Sequence, residues 1–131
     1  MKLSGGGLPG RYICQQFHFH WGSETNDGAE HLVAKKRHFG EIHFVHFKEE
    51  YGPQSNQART DALAVMGFFL EVDVNSPNGA LDDLIQNEIG YKLLEPGSAM
   101  DIDNVSVGAI MPTSFDKFYR YQKRTVFRKK S

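Results

Sequence analysis

The stretch QFHFHWG, Gln16 to Gly22, places His18 and His20 one residue apart among Phe17, Phe19 and Trp21. In an extended chain, successive side chains point to opposite faces. The two imidazoles therefore share one face, and Phe17, Phe19 and Trp21 take the other as core packing. The surrounding YICQQFHFHW is rich in β-formers and lacks the i, i+3, i+4 stripe of a helix. Two neighbouring imidazoles on a strand are either polar residues of a solvated face or a grip for one metal ion. A third ligand decides between these.

EIHFVHF, residues 41–47, supplies the candidate. Its alternation puts Glu41, His43, Val45 and Phe47 on one face and Ile42, Phe44 and His46 on the other. If strands 12–21 and 41–47 are neighbours, His43 lies beside His18 and His20. Three histidines on a rigid sheet with no fourth protein ligand fit an open catalytic zinc site, in which water takes the fourth position.

The rest of the chain is organised around these strands. Residues 1–10 hold four of the thirteen glycines and read as a loose leading loop. Residues 22–29 form a turn-rich loop around Asn26-Asp27-Gly28, and residues 30–39 a short mixed segment. Residues 62–72, ALAVMGFFLEV, read as a strand buried on both faces. Over residues 79–94 the period changes. Leu81, Leu84, Ile85 and Ile89 take helical spacing behind Asn75, Ser76 and Pro77, which predicts a short amphipathic helix. Residues 100–111 return to strand-like alternation. Residues 123–131, KRTVFRKKS, carry five of the fifteen basic residues and no acid, a composition unlike the remainder.

Composition sets limits. A chain of 131 residues, 40% hydrophobic and 12% aromatic, is of single-domain size. A net charge of −1 gives no global pull toward nucleic acid or an acidic membrane. No apolar run reaches transmembrane length and no signal peptide is visible, which leaves a cytoplasmic and a secreted location open. Cys14 is the only cysteine, so no disulfide forms within the chain.

QFHFHWG, followed by Glu30-His31 and then by EIHFVHF, closely resembles the zinc core of the α-class carbonic anhydrases. The likeness continues through ALAVMGFFLEV and, more weakly, to SFDKFYRYQ, covering residues 11–122. The resemblance implies a mainly β, β-rich α+β fold: the central part of a twisted mixed sheet with short peripheral helices. It implies Zn2+ as cofactor, held by His18, His20 and His43, with carbon dioxide and bicarbonate as the small-molecule partners and no nucleic acid. Gln16 and Glu41 would support His18 and His43 by hydrogen bonds to their free ring nitrogens. Glu30 resembles the buried carboxylate that orients a threonine hydroxyl at the metal's fourth ligand. Val45 and Val65 resemble two walls of the carbon dioxide pocket. His31 and His46 are structural hydrogen-bonding histidines in this pattern, and His38 a surface residue.

The departures from the family are as specific as the matches. After Tyr121-Gln122 the family continues Gly-Ser-Leu-Thr-Thr-Pro, and here KRTVFRKKS stands. The expectation is a partial carbonic anhydrase domain over residues 1–122, a fragment or truncated variant, with a divergent basic tail over 123–131. The implied activity is reversible hydration of carbon dioxide by a zinc lyase, impaired in this chain. The competing reading is a non-catalytic zinc-binding or interaction module on the same fold. Survival of all three histidines favours the first.

Overall fold

The computed structural model describes residues 1–23, 25–54, 59–75, 79–89, 99, 101–102 and 105–122. The chain divides into two units, Met1–Asp73 and Val74–Ser131. The first is built on a four-stranded sheet in the order β1 (Lys2–Leu3), β2 (Tyr12–Trp21), β5 (Gly40–Lys48), β6 (Leu63–Leu70). A small hairpin, β3 (Leu32–Val33) and β4 (Lys36–Arg37), lies between β2 and β5 in sequence. The fold is strand-dominated with a few short helices, as the sequence predicts. Every strand pairing among the described residues is antiparallel, where a mixed sheet was the expectation.

The two strands singled out from their alternation are direct neighbours, with His18 opposite His43 and His20 opposite Glu41. A β-bulge interrupts their ladder: Cys14 pairs with His46 but Gln16 pairs with Val45, leaving Gln15 as the extra residue. The bulge switches which face the even-numbered side chains take. Tyr12 and Cys14 lie on the face of His46 and Phe44, whereas Gln16, His18 and His20 lie on the face of His43 and Val45.

The core lies on the Phe44 face. Phe44 is fully buried, Ile42 is 2% exposed and Tyr12 1%. Phe44 packs against Phe17 at 5.6 Å between ring centroids and against Phe68 at 5.9 Å, and Phe17 meets Phe19 edge-on at 6.0 Å. Such aromatic pairs add roughly 0.5–1.5 kcal/mol each beyond area burial. Trp21, expected with them in the core, is 45% exposed at the last position of β2. The buried end of this face is polar: Lys48 Nζ donates to Asp61 Oδ2 at 2.6 Å and to Tyr51 Oη at 3.2 Å, and Tyr12 Oη donates to the Asp61 carbonyl at 2.8 Å.

Four expectations need correction. Strand β6 is not buried on both faces: Leu63 is 42%, Val65 53% and Phe69 38% exposed, because β6 is an outer strand of the sheet. Residues 1–10 are more than a loop, since Lys2 and Leu3 pair with Ile13 and Tyr12 ahead of the positive-φ glycines 5, 6, 7 and 10. Residues 30–39 form the hairpin β3–β4, whose tight turn holds Ala34 and Lys35 at positive φ (49° and 64°). Residues 105–111 contain a 3-10 turn, Val107–Ile110, and no strand.

In the second unit, α1 (Gly79–Asp83) continues into a π-helical turn, Leu84–Ile89. The predicted helix is therefore present from residue 79 to 89, and the start signals Ser76 and Pro77 lie outside the described residues, as do residues 90–94. Leu84 is 4% exposed, Ile110 6% and Met111 8%. Ile85, expected on the apolar face, is 41% exposed within the π-helical turn. The basic tail 123–131 lies outside the described residues.

Candidate metal centre

The β2–β5 register sets His18, His20 and His43 side by side on one face, with ring centroids 5.2 Å apart for His18 and His43, 5.0 Å for His18 and His20, and 4.5 Å for His20 and His43. One ring nitrogen of each lies within 4.8 Å of the other two. His20 Nε2 and His43 Nδ1 are 3.2 Å apart. Bonds of about 2.0–2.1 Å to a tetrahedral zinc place neighbouring nitrogens roughly 3.3–3.4 Å apart, so this spacing suits one shared ion.

The outer nitrogens are committed elsewhere. Gln16 Oε1 lies 3.0 Å from His18 Nδ1 and accepts its proton, which leaves Nε2 of His18 as the lone-pair nitrogen. Glu41 Oε1 lies 2.7 Å from His43 Nε2 and accepts from it, which leaves Nδ1 of His43 turned toward His20. Tautomers are thereby fixed on two of the three rings, the arrangement that metal-binding imidazoles require. Burial, followed by the neighbouring His43 and His20 rings, pushes the His18 imidazole below its ordinary value despite the opposing pull of Glu30, favouring the neutral form that binds metal.

Glu41 is 2% exposed and carries more than one partner. His31 donates to it twice, from its backbone N–H to Oε2 at 3.0 Å and from Nδ1 to Oε1 at 2.6 Å. Burial raises the Glu41 carboxyl, but the hydrogen bonds from His31 and His43 outweigh it and hold the group below the ordinary carboxylate range. His31 thus buttresses the carboxylate that orients His43.

Glu30 departs from expectation. Its side chain is 45% exposed rather than buried, and its Oε2 lies 3.9 Å from His20 Nε2 and 3.7 Å from His43 Nδ1. Loop 28–31 is tied to His38, Phe39 and Glu41 at the start of β5, which brings Glu30 to the histidines with its side chain partly in solvent. Val45 and Val65 are paired directly across β5 and β6, next to the His43–Gly67 pair. Val45 is partly buried and Val65 is 53% exposed, so together they form an open apolar strip beside the histidines.

His46, on the opposite face, is fully buried and its Nδ1 donates to the Phe44 carbonyl at 3.0 Å. His38 is not simply a surface residue. Its side chain is 21% exposed, stacks on Phe69 at 4.2 Å and pairs with Glu71.

Gly67 was not among the sequence candidates. It faces His43 across the ladder, and a Cβ there would lie 2.8 Å from Glu41 Oε1 and 3.2 Å from His43 Cδ2. A lone glycine inside an apolar strand was the available signal, since such positions mark close approach of another group.

This fold and this histidine cluster define a β-sheet protein with a candidate metal centre, and the sequence places it further. Residues 1–123 match the family model described as eukaryotic-type carbonic anhydrase, and the chain belongs to that family. It is 32% identical to "Putative carbonic anhydrase 5" of Caenorhabditis elegans over 120 residues, which is 92% of this chain and 38% of that protein. It is 33% identical to carbonic anhydrase 1 of Mus musculus over 118 residues, 87% of this chain and 43% of that protein. The chain spans about two-fifths of the length of these curated relatives.

Proposed function

We propose that His18, His20 and His43 hold a zinc ion and that the chain contributes the metal centre of a carbon dioxide–bicarbonate hydration reaction. Convergence of the three ring nitrogens, with 3.2 Å between His20 Nε2 and His43 Nδ1, is the observation that carries this reading. The donor set fits zinc in type and in spacing. Zinc supplies a Lewis acid that brings the pKa of a coordinated water down toward neutrality, the property for which the carbonic anhydrase site is the reference case.

The chain's own residues prepare that chemistry. Gln16 and Glu41 accept the outer ring protons of His18 and His43, so the inner nitrogens present lone pairs without reorientation. His31 keeps Glu41 ionised and in place. Val45 and Val65 offer carbon dioxide, an apolar molecule, an apolar surface next to the histidines. Glu30 adds a negative charge on the same side.

The test is a zinc titration of the full chain against a competing chelator, followed by a carbon dioxide hydration assay. Stoichiometric binding in the parent, strongly weakened in His43→Ala, is the expected result. Equal affinity in the two proteins would reject the site. Zinc binding without any hydration by the chain would favour the non-catalytic module on the same fold.

A further inference from the structure

Glu30 stands against two of the three candidate donors. Its Oε2 is nearly equidistant from two of the candidate donor atoms, 3.7 Å from His43 Nδ1 and 3.9 Å from His20 Nε2, and those two atoms are themselves 3.2 Å apart. Zinc–nitrogen and zinc–oxygen bonds of about 2.0–2.2 Å place neighbouring donors of a tetrahedron roughly 3.3–3.5 Å apart, so a shift of about half an ångström in Oε2 brings it to ligand spacing from these two atoms.

The backbone holds the carboxylate in this place. Gly28 and Ala29 donate to the carbonyls of Phe39 and His38, and Ala29 is fully buried. On the other side, His31 is clamped to Glu41 through its backbone N–H and its ring. Glu30 is thus held by its neighbours on both flanks while its side chain keeps 45% exposure. Charge favours the same outcome: three neutral imidazoles leave a dication uncompensated, and a carboxylate is an ordinary zinc ligand.

We infer that Glu30 is a direct ligand in the metal-loaded chain, completing a closed shell of His18, His20, His43 and Glu30. The inference rests on the three-histidine reading above. It makes the centre in this chain a gated one: a water reaches the metal only when the Glu30 side chain swings out, and small anions compete with the carboxylate for the same position. Glu30 then governs access to the centre rather than positioning another hydroxyl.

Cobalt(II) is the probe, loaded into the full 131-residue chain. The visible spectrum of cobalt(II) reports its ligands and is followed between about pH 6 and about pH 9, the range in which a metal-bound water ionises. The parent is expected to show a tetrahedral spectrum that does not change with pH and responds weakly to azide. Glu30→Ala is expected to gain a pH-dependent spectrum and a strong azide response, with zinc affinity lowered about tenfold or more. Glu30→Gln, which keeps the side-chain volume, should behave as Glu30→Ala. A parent spectrum that titrates and answers azide as the variants do overturns the Glu30 assignment alone. Failure of the parent to bind cobalt, or undiminished binding by His43→Ala, overturns the three-histidine reading and this inference with it.

Discussion

Gly67 stands directly opposite His43 in the β5–β6 ladder, and the absence of a side chain there leaves the space that the His43–Glu41 pair occupies. A methyl group would approach Glu41 Oε1 to 2.8 Å, and that oxygen has little freedom because His31 and His43 both donate to it. Gly67→Ala should therefore lower zinc affinity by about tenfold or more while the far-ultraviolet circular dichroism stays that of the parent. Unchanged affinity would show that the pair tolerates displacement.

Glu41 joins a candidate ligand to a loop. Glu41→Ala removes the acceptor of His43 Nε2 and of two His31 donors in a buried position. Zinc affinity should fall by about 10- to 100-fold. Stability of the metal-free chain should drop as well, by about 1–3 kcal/mol, the usual cost of unsatisfied buried donors. Chelator competition and urea unfolding measure the two effects separately.

His46 gives the metal-free chain a pH dependence of known sign. Its ring is fully buried, donates from Nδ1 to the Phe44 carbonyl and has no partner at Nε2 among the described residues. Its register neighbours are Cys14 and Ala64, neither of which brings a charge to accept a second proton. Burial pushes the imidazole below its ordinary value of 6.5. Below that pH the unfolded chain takes up a proton that the folded ring resists, so this contribution to stability is intact above 6.5 and declines as the pH falls toward the lower, folded-state value. Urea unfolding at about pH 7.5, 6 and 5 should show a shallower decline in His46→Leu than in the parent. Parallel declines would assign the slope to other groups.

Two of the ion pairs near the end of the sheet should differ in weight. Lys48 is 6% exposed and is held by Asp61, Tyr51 and Glu50. The hydrogen bond to Asp61, then that to Tyr51, raises its ammonium well above the ordinary lysine value. Lys2 meets Glu49 at 3.0 Å with the lysine side chain 60% exposed. Asp61→Asn, which takes from the Lys48 ammonium its nearest carboxylate, should lower the melting temperature markedly, and Lys2→Ala only slightly. Equal shifts in thermal unfolding would contradict this ranking.

Much of the centre is legible in the sequence. Alternation put His18 with His20 and, independently, Glu41 with His43 and Val45, because a strand has a fixed period of two. The matched spacing to the carbonic anhydrases named the same histidines. Gly67 escaped notice because its meaning depends on which residue faces it across the ladder, and no local pattern contains that information. Buried strands and outer strands share one composition, so ALAVMGFFLEV could not reveal that Val65 and Phe69 stand exposed.

The sequence by itself determined the faces of residues 16–21 and 41–47, the candidate donors and the family, since these follow from residue type, period and spacing along one chain. Tertiary structure alone decided the register that sets His18 opposite His43, and the bulge at Gln15 that buries Tyr12 on one face while His18 and His20 take the other. It also decided that Glu30 meets His20 and His43 with its side chain 45% exposed. Pairing register, bulges and loop approach arise from contacts between segments far apart in the chain, and a one-residue slip in any of them would send every side chain of a strand to the opposite face.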